Sequence, residues 1–337
     1  MLAKILLVAG IAGALILLPV FLDSPYLLHL VIMTCIGSIL AMGFSMIYSM
    51  GRVGMGAGAF YAIGAYASAT LAMKFGLSFW QALPLSTLIT FFFALALGSA
   101  VVRSSGMGFG ITTLIIGMAV TQLIGASPYL GGWGGLVGIP PPTPIELPFL
   151  PRIEFVGKVP YYYLVLLLLL ITMLCFWALY SSRIGRNWRA IKLSPHLAET
   201  LGINLFRYRL LAFVVASTSG GAAGSFYVHY SRLIEPTAIG GFFSVYIQMY
   251  SFLGGLNYYL LGPVIGAAIM TFLPESLRIA SEIEPIITGV LLMIIILLSP
   301  GGILGLVAKG SKSLDWANRV RIRRSKQTPA IQAGEVK

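Results

Sequence analysis

Tyr161 to Asn204 reads YYYLVLLLLLITMLCFWALYSSRIGRNWRAIKLSPHLAETLGIN. No charged side chain stands between Tyr161 and Ser181, and about 20 consecutive apolar residues are what a helix needs to cross a bilayer. Charge then arrives at once as Arg183, Arg186, Arg189 and Lys192, the mark of a cytoplasmic loop. Lipid offers an open backbone no water, so the apolar run is expected to be helical.

The rest of the chain repeats this alternation. Of its 337 residues 58% are hydrophobic and 9% charged, with a mean hydropathy of +0.92, whereas a soluble domain carries about 25% charged residues. Candidate spans fall near 5–22, 27–48, 53–73, 80–102, 107–126, 161–181, 209–230, 241–256, 258–274 and 285–300. The expected fold is all-α and polytopic, with about 10 transmembrane helices. The third, fifth, eighth and tenth spans are short or interrupted by Gly, so a re-entrant or broken helix is open for each. The first span has a basic start like a secretory signal, but no small-x-small cleavage site follows Phe21-Leu22-Asp23-Ser24-Pro25, and it reads as a retained helix.

Lys and Arg set the orientation. With the N-terminus inside, only Lys74, Arg152, Lys158, Arg232 and Arg278 of the 22 basic residues fall outside, so both termini are expected in the cytoplasm. A membrane domain, 1–308, then precedes a basic cytoplasmic tail, 309–337. The domain carries a Gly- and Pro-rich outer loop, 127–160, expected to be ordered only by packing, and a basic inner loop, 182–208. The formal net charge of +12 does not indicate nucleic acid, because the basic residues sit in short segments between apolar runs. The tail from Lys309 to Lys326 suits lipid headgroups.

Enzyme chemistry finds little support. Cys35 and Cys175 lie inside apolar spans and read as small hydrophobes. His29, His196 and His229 show no metal-ligand spacing, and no paired carboxylates or serine elbow stands out. Gly305 to Ser313, GLVAKGSKS, approaches a phosphate-binding loop, but Ser311 stands where the lysine must reach phosphate. ATP-driven work therefore needs a partner. No ionisable group lies convincingly in mid-membrane, where one would mark ion coupling. The spans offer Thr112, Thr113, Thr121, Gln122 and Gln248 instead; helix–helix hydrogen bonding is the commoner role, and lining a solute path the other. Four Gly pairs at four-residue spacing, Gly54/Gly58, Gly106/Gly110, Gly220/Gly224 and Gly262/Gly266, suit close helix packing.

The inner loop is the most specific feature. Ser194-Pro195 suits a helix start and Gly202 a stop, leaving about two turns that expose Ala198, Glu199 and Leu201. The loop is either an ordinary basic connection or a rigid knob that docks into a partner.

At residues 185–204 the chain resembles the coupling region of ABC importer permeases, and more narrowly the LivM-type permease of branched-chain amino-acid importers. Matching segments follow in order: 56–66 (GAGAFYAIGAY), 106–114 (GMGFGITTL), 131–140 (GGWGGLVGIP), 253–275 (LGGLNYYLLGPVIGAAIMTFLPE) and 299–306 (SPGGILGL). It departs at Gly54, Ala57, Gly134 and Asn257, where the family commonly has Ser, His, an acidic residue or Asn, and Gly. The resemblance implies a multi-pass protein of the bacterial inner membrane that forms part of the path for a small polar solute, such as a branched-chain amino acid. It implies a second homologous permease, two cytoplasmic ATPases using ATP and Mg, and a periplasmic substrate-binding protein, with no cofactor on this chain. Ala198, Glu199, Leu201 and Gly202 would touch the ATPase, Arg186 and Arg189 would orient the loop, and Thr112, Thr113, Gln122 and Gln248 would line the path. The alternative is a stand-alone secondary transporter or channel.

Overall fold

The computed structural model describes residues 18–19, 24–104, 106–144, 155, 157–276, 289–290, 293 and 301–305. The expected spans 5–22 and 285–300 and the tail 309–337 lie wholly or almost wholly outside the described residues. Within them the chain forms α1 (Pro25–Tyr48), α2 (Ala57–Phe75), α3 (Phe79–Val101), α4 (Gly106–Ala126), α5 (Lys158–Ser181), α6 (Arg183–Leu193), α7 (Pro195–Thr200), α8 (Leu205–Ser231), α9 (Gly241–Gly254) and α10 (Leu261–Ser276).

Five helices, α1, α3, α4, α5 and α8, are long and apolar enough to cross a bilayer. Burial sorts them. The most apolar stretch of α1 is 83% buried and that of α8 is 72%, against 28% in α3 and α4 and 33% in α5. The core therefore runs along α1, α2 and α8, while α3, α4 and α5 turn Phe92, Ile115 and Leu167 outward. α2 is rich in Ala and Gly because it meets protein rather than lipid. Gly64 of α2 lies against the Gly221 backbone, and Gly224 of α8 against the Tyr61 carbonyl, so that a Cβ at either would strike main chain. This is the close approach that small residues permit. Gly106, by contrast, has open space beside it.

α9 falls in the eighth span, one of those for which a re-entrant or broken helix is open. Its 14 residues rise about 21 Å, short of the ~30 Å hydrocarbon core. It crosses both central helices. Ser244 accepts the Gly58 N–H of α2 at 2.9 Å, and Ser251 donates to the Ala41 carbonyl of α1 at 2.9 Å.

The outer loop, expected to be ordered only by packing, is also tied by a short backbone ladder. After single turns at Pro128–Leu130 and Gly132–Gly134, the strand β1 (Leu136–Val137) pairs antiparallel with β2 (Leu233–Ile234), Leu136 opposite Ile234 and Val137 opposite Leu233. Gly135 permits it: its φ is 71°, and its Cα lies too near the Ile234 carbonyl for any side chain. Side chains of α2 and α8 hold the ladder down. Tyr66 donates to the Ile234 carbonyl at 3.3 Å. His229, 1% exposed, bonds the Pro140 carbonyl through Nδ1 at 2.7 Å and Ser68 through Nε2 at 2.9 Å. A carbonyl only accepts, so Nδ1 carries the proton and Nε2 accepts from the Ser68 hydroxyl.

Candidate functional site

The inner loop is built as a mount and a knob. Ser182 caps α6 by accepting the Ile184 N–H at 3.1 Å, and Gly185 lies so close to the Tyr180 carbonyl that the chain can turn sharply out of α5. α6 is amphipathic. Trp188 and Ile191 are fully buried, and the Trp188 indole N–H donates to the Tyr208 carbonyl of α8 at 2.8 Å. Arg186 and Arg189 face outward on the other side. At its end the Lys192 ammonium sits 3.8 Å from the Tyr48 ring centroid of α1 and 3.4 Å from the hydroxyl of Tyr259, which stacks on Tyr180. Partial burial lowers the Lys192 pKa from its ordinary value. One helix is thus fastened to α1, α5, α8 and the turn between α9 and α10.

Beside this mount Arg52 is buried, donates to the Val102 carbonyl at 3.0 Å and lies 5.1 Å from the Phe109 ring centroid. Burial, then the nearby Arg209, lower its pKa to about 10.

α7 is the knob. Ser194 accepts the Leu197 N–H at 3.3 Å with Pro195 in the first turn, and Gly202, at φ 79°, ends the helix. Both boundaries fall where Ser194-Pro195 and Gly202 placed them. Ala198 does not face out as expected. It is 1% exposed and packs with Ile191 and Leu205, because the α6 and α8 surfaces lie directly beneath that face. Glu199, Leu201 and Gly202 are exposed. So are two leucines that the sequence does not single out, Leu193 at 87% and Leu197 at 61%, together with Leu201 at 71%. Leu193 closes α6, Ser194 is extended, and Leu197 and Leu201 belong to α7 and its C-cap, so the three are exposed on successive pieces of the knob rather than along one helical face. Covering each leucine is worth about 1.5–3 kcal/mol, so together they favour docking against a partner.

The polar residues of the spans divide. Thr113 is buried, accepts the Met55 N–H at 2.9 Å and donates back to carbonyls of its own helix. Gln248 is buried between Ser244 and Ser251 on one stripe of α9, and its Nε2 has no partner among the described residues. Thr113 and the Ser244 end of that stripe meet at the first turn of α2. Thr112 is half-buried and Gln122 is exposed; neither joins that cluster. Ser244, which the sequence does not single out, shares the bonding there with Thr113, while Ser251 bonds α1 at the far end of the stripe.

Over residues 26–300 the chain matches the family described as branched-chain amino acid transport system, permease component. It is 28% identical to the high-affinity branched-chain amino acid transport system permease protein LivM of Salmonella typhimurium, over 81% of this chain and 68% of the relative. To the Escherichia coli LivM the identity is also 28%, over 84% and 71%. The guanosine ABC transporter permease protein NupQ of Bacillus subtilis is 25% identical over 70% and 76%. No solved structure matches the chain. With its long apolar helices and the matched span, the chain belongs to the permease-component family of branched-chain amino acid transport systems, as a multi-pass membrane protein of the LivM-like kind.

Proposed function

We propose that this permease carries a branched-chain amino acid across a bacterial inner membrane, with both termini in the cytoplasm and about 10 transmembrane helices. It works beside a second homologous permease, under a periplasmic binding protein and over two ATPases. ATP and Mg act on those partners, and this chain itself binds no cofactor. The observation that carries the reading is the exposure of Leu193, Leu197 and Leu201 around the knob, beside a mount, α6, too firmly anchored to yield locally. Closure of the ATPase pair then presses on α7, with Glu199 and Gly202 at the contact and Arg186 and Arg189 orienting the loop. α6 passes the load through Trp188 to α8, and through Lys192 to α1 and the α9–α10 turn. The central helices rock between two states, with the energy supplied from below.

The test is ATP-dependent leucine uptake by the complete importer in vesicles. Glu199→Arg and Leu197→Glu are each expected to abolish uptake while leaving the chain in the membrane. Normal uptake in both variants counts against the reading. A nucleoside solute is the second reading, favoured by the NupQ likeness; guanosine uptake in the same vesicles decides between the two.

A further inference from the structure

α2 begins inside the bundle with its first amides open. Its N-cap is Gly56, which brings no side chain to them. Thr113 takes the Met55 N–H and Ser244 takes the Gly58 N–H, but those of Gly56 and Ala57 meet no acceptor among the described residues. Buried helix ends are normally satisfied, since each open donor costs about 1–3 kcal/mol.

Gly56 and Ala57 line a cavity of about 20 Å³. Its walls are Leu40, Phe44 and Ile47 of α1, Phe60 of α2, and Phe213 and Ser217 of α8. Ser217 is only 6% exposed, and its hydroxyl has no partner among the described residues. Its neighbours behave otherwise: Thr218 bonds back to the Val214 carbonyl at 2.7 Å, and Ser219 to that of Ala216 at 2.8 Å. Two independent features, an uncapped helix start and a free buried hydroxyl, therefore border one cavity otherwise walled by hydrocarbon.

We propose that this cavity is the collapsed form of a solute site for an α-amino acid with an aliphatic side chain. The amides of Gly56 and Ala57, at the positive end of α2, donate to the carboxylate. Ser217 accepts from the α-ammonium. Leu40, Ile47 and the three phenylalanines surround the side chain. No charged residue lines the cavity, which suits a solute whose charges sum to zero. Membrane transporters use helix starts in this way, directed at the anionic end of a solute. About 20 Å³ admits little more than one water, so Phe44, Phe60 and Phe213 must part before an amino acid enters. Phe44 lies one turn from Tyr48, the ring beneath Lys192, so load arriving through α6 reaches this wall first.

The site rests on the import reading above, and its test separates the two. In the complete importer, with Cys35 and Cys175 changed to alanine, Ser217→Cys is exposed to a small sulfonate-bearing thiosulfonate reagent. L-leucine at ten times its half-protecting concentration is expected to slow modification about tenfold, and L-leucinamide, which lacks the carboxylate, to leave the rate unchanged. Equal protection by both, or by neither, overturns the site. Complete failure to react also overturns it, and leaves a cavity that holds only a structural water. Should the unaltered importer take up leucine while Ser217→Cys is unprotected, the site falls and the permease reading stands. Should the unaltered importer take up no amino acid, the reading itself falls.

Discussion

Trp188 and His229 are single residues that tie chain segments together at opposite ends of the bundle. Trp188→Phe keeps most of the buried volume but removes the indole bond to the Tyr208 carbonyl, which retains its helical donor, at a cost of about 0.5–1.5 kcal/mol. Thermal denaturation of the purified chain is expected to start lower, and import to fall further than the amount of protein in the membrane. His229→Phe removes two bonds at once, to Ser68 and to Pro140. The expected outcome is faster proteolysis within 127–144, with α8 itself intact. At this scale the sequence was only partly legible. Ser194, Pro195 and Gly202 were readable because capping is local chemistry. Ala198 was not, because α7 has six residues, too few to reveal a buried face; what buries it is Ile191 and Leu205 from elsewhere in the chain. Ser217 was invisible for a related reason, since a serine in a helix ordinarily bonds its own backbone, and only the fold shows that this one does not.

Among the elements, the α2–α8 crossing and the α6 mount differ in what they tolerate. Gly224→Val forces a side chain into the Tyr61 backbone, and overpacking of this kind costs about 1–3 kcal/mol or more. The variant is expected to be depleted from membranes, as an immunoblot of the fraction would register. Lys192→Gln should leave the fold in place but loosen α6 from Tyr48 and Tyr259. Partner ATPases are then expected to hydrolyse ATP at a near-normal rate while leucine uptake falls several-fold, a split seen by measuring both in one vesicle preparation. The long helices were legible from apolar length alone. α9 was half-legible: its shortness left a re-entrant or broken helix open, but an apolar run beside Gly254 and Gly255 has the same composition whether or not it crosses fully. The β1–β2 ladder was hidden: its strands are two residues each, and tertiary bonds from Tyr66 and His229 hold them in place.

Taken whole, the molecule has a stiff centre of α1, α2 and α8 and a loosely covered rim of α3, α4 and α5. Liposomes containing this chain alone are expected to show neither ATP hydrolysis nor leucine flux down a gradient; flux at the rate of the full importer would make it a self-sufficient carrier. The exposed leucines at the tip have a consequence for the cell's handling of the chain. Until something covers Leu193, Leu197 and Leu201, a newly made copy displays the greasy signal by which proteases and chaperones recognise unfinished protein. Synthesis in excess of its companions should therefore give a short-lived orphan, and co-production should lengthen its half-life in a pulse-chase.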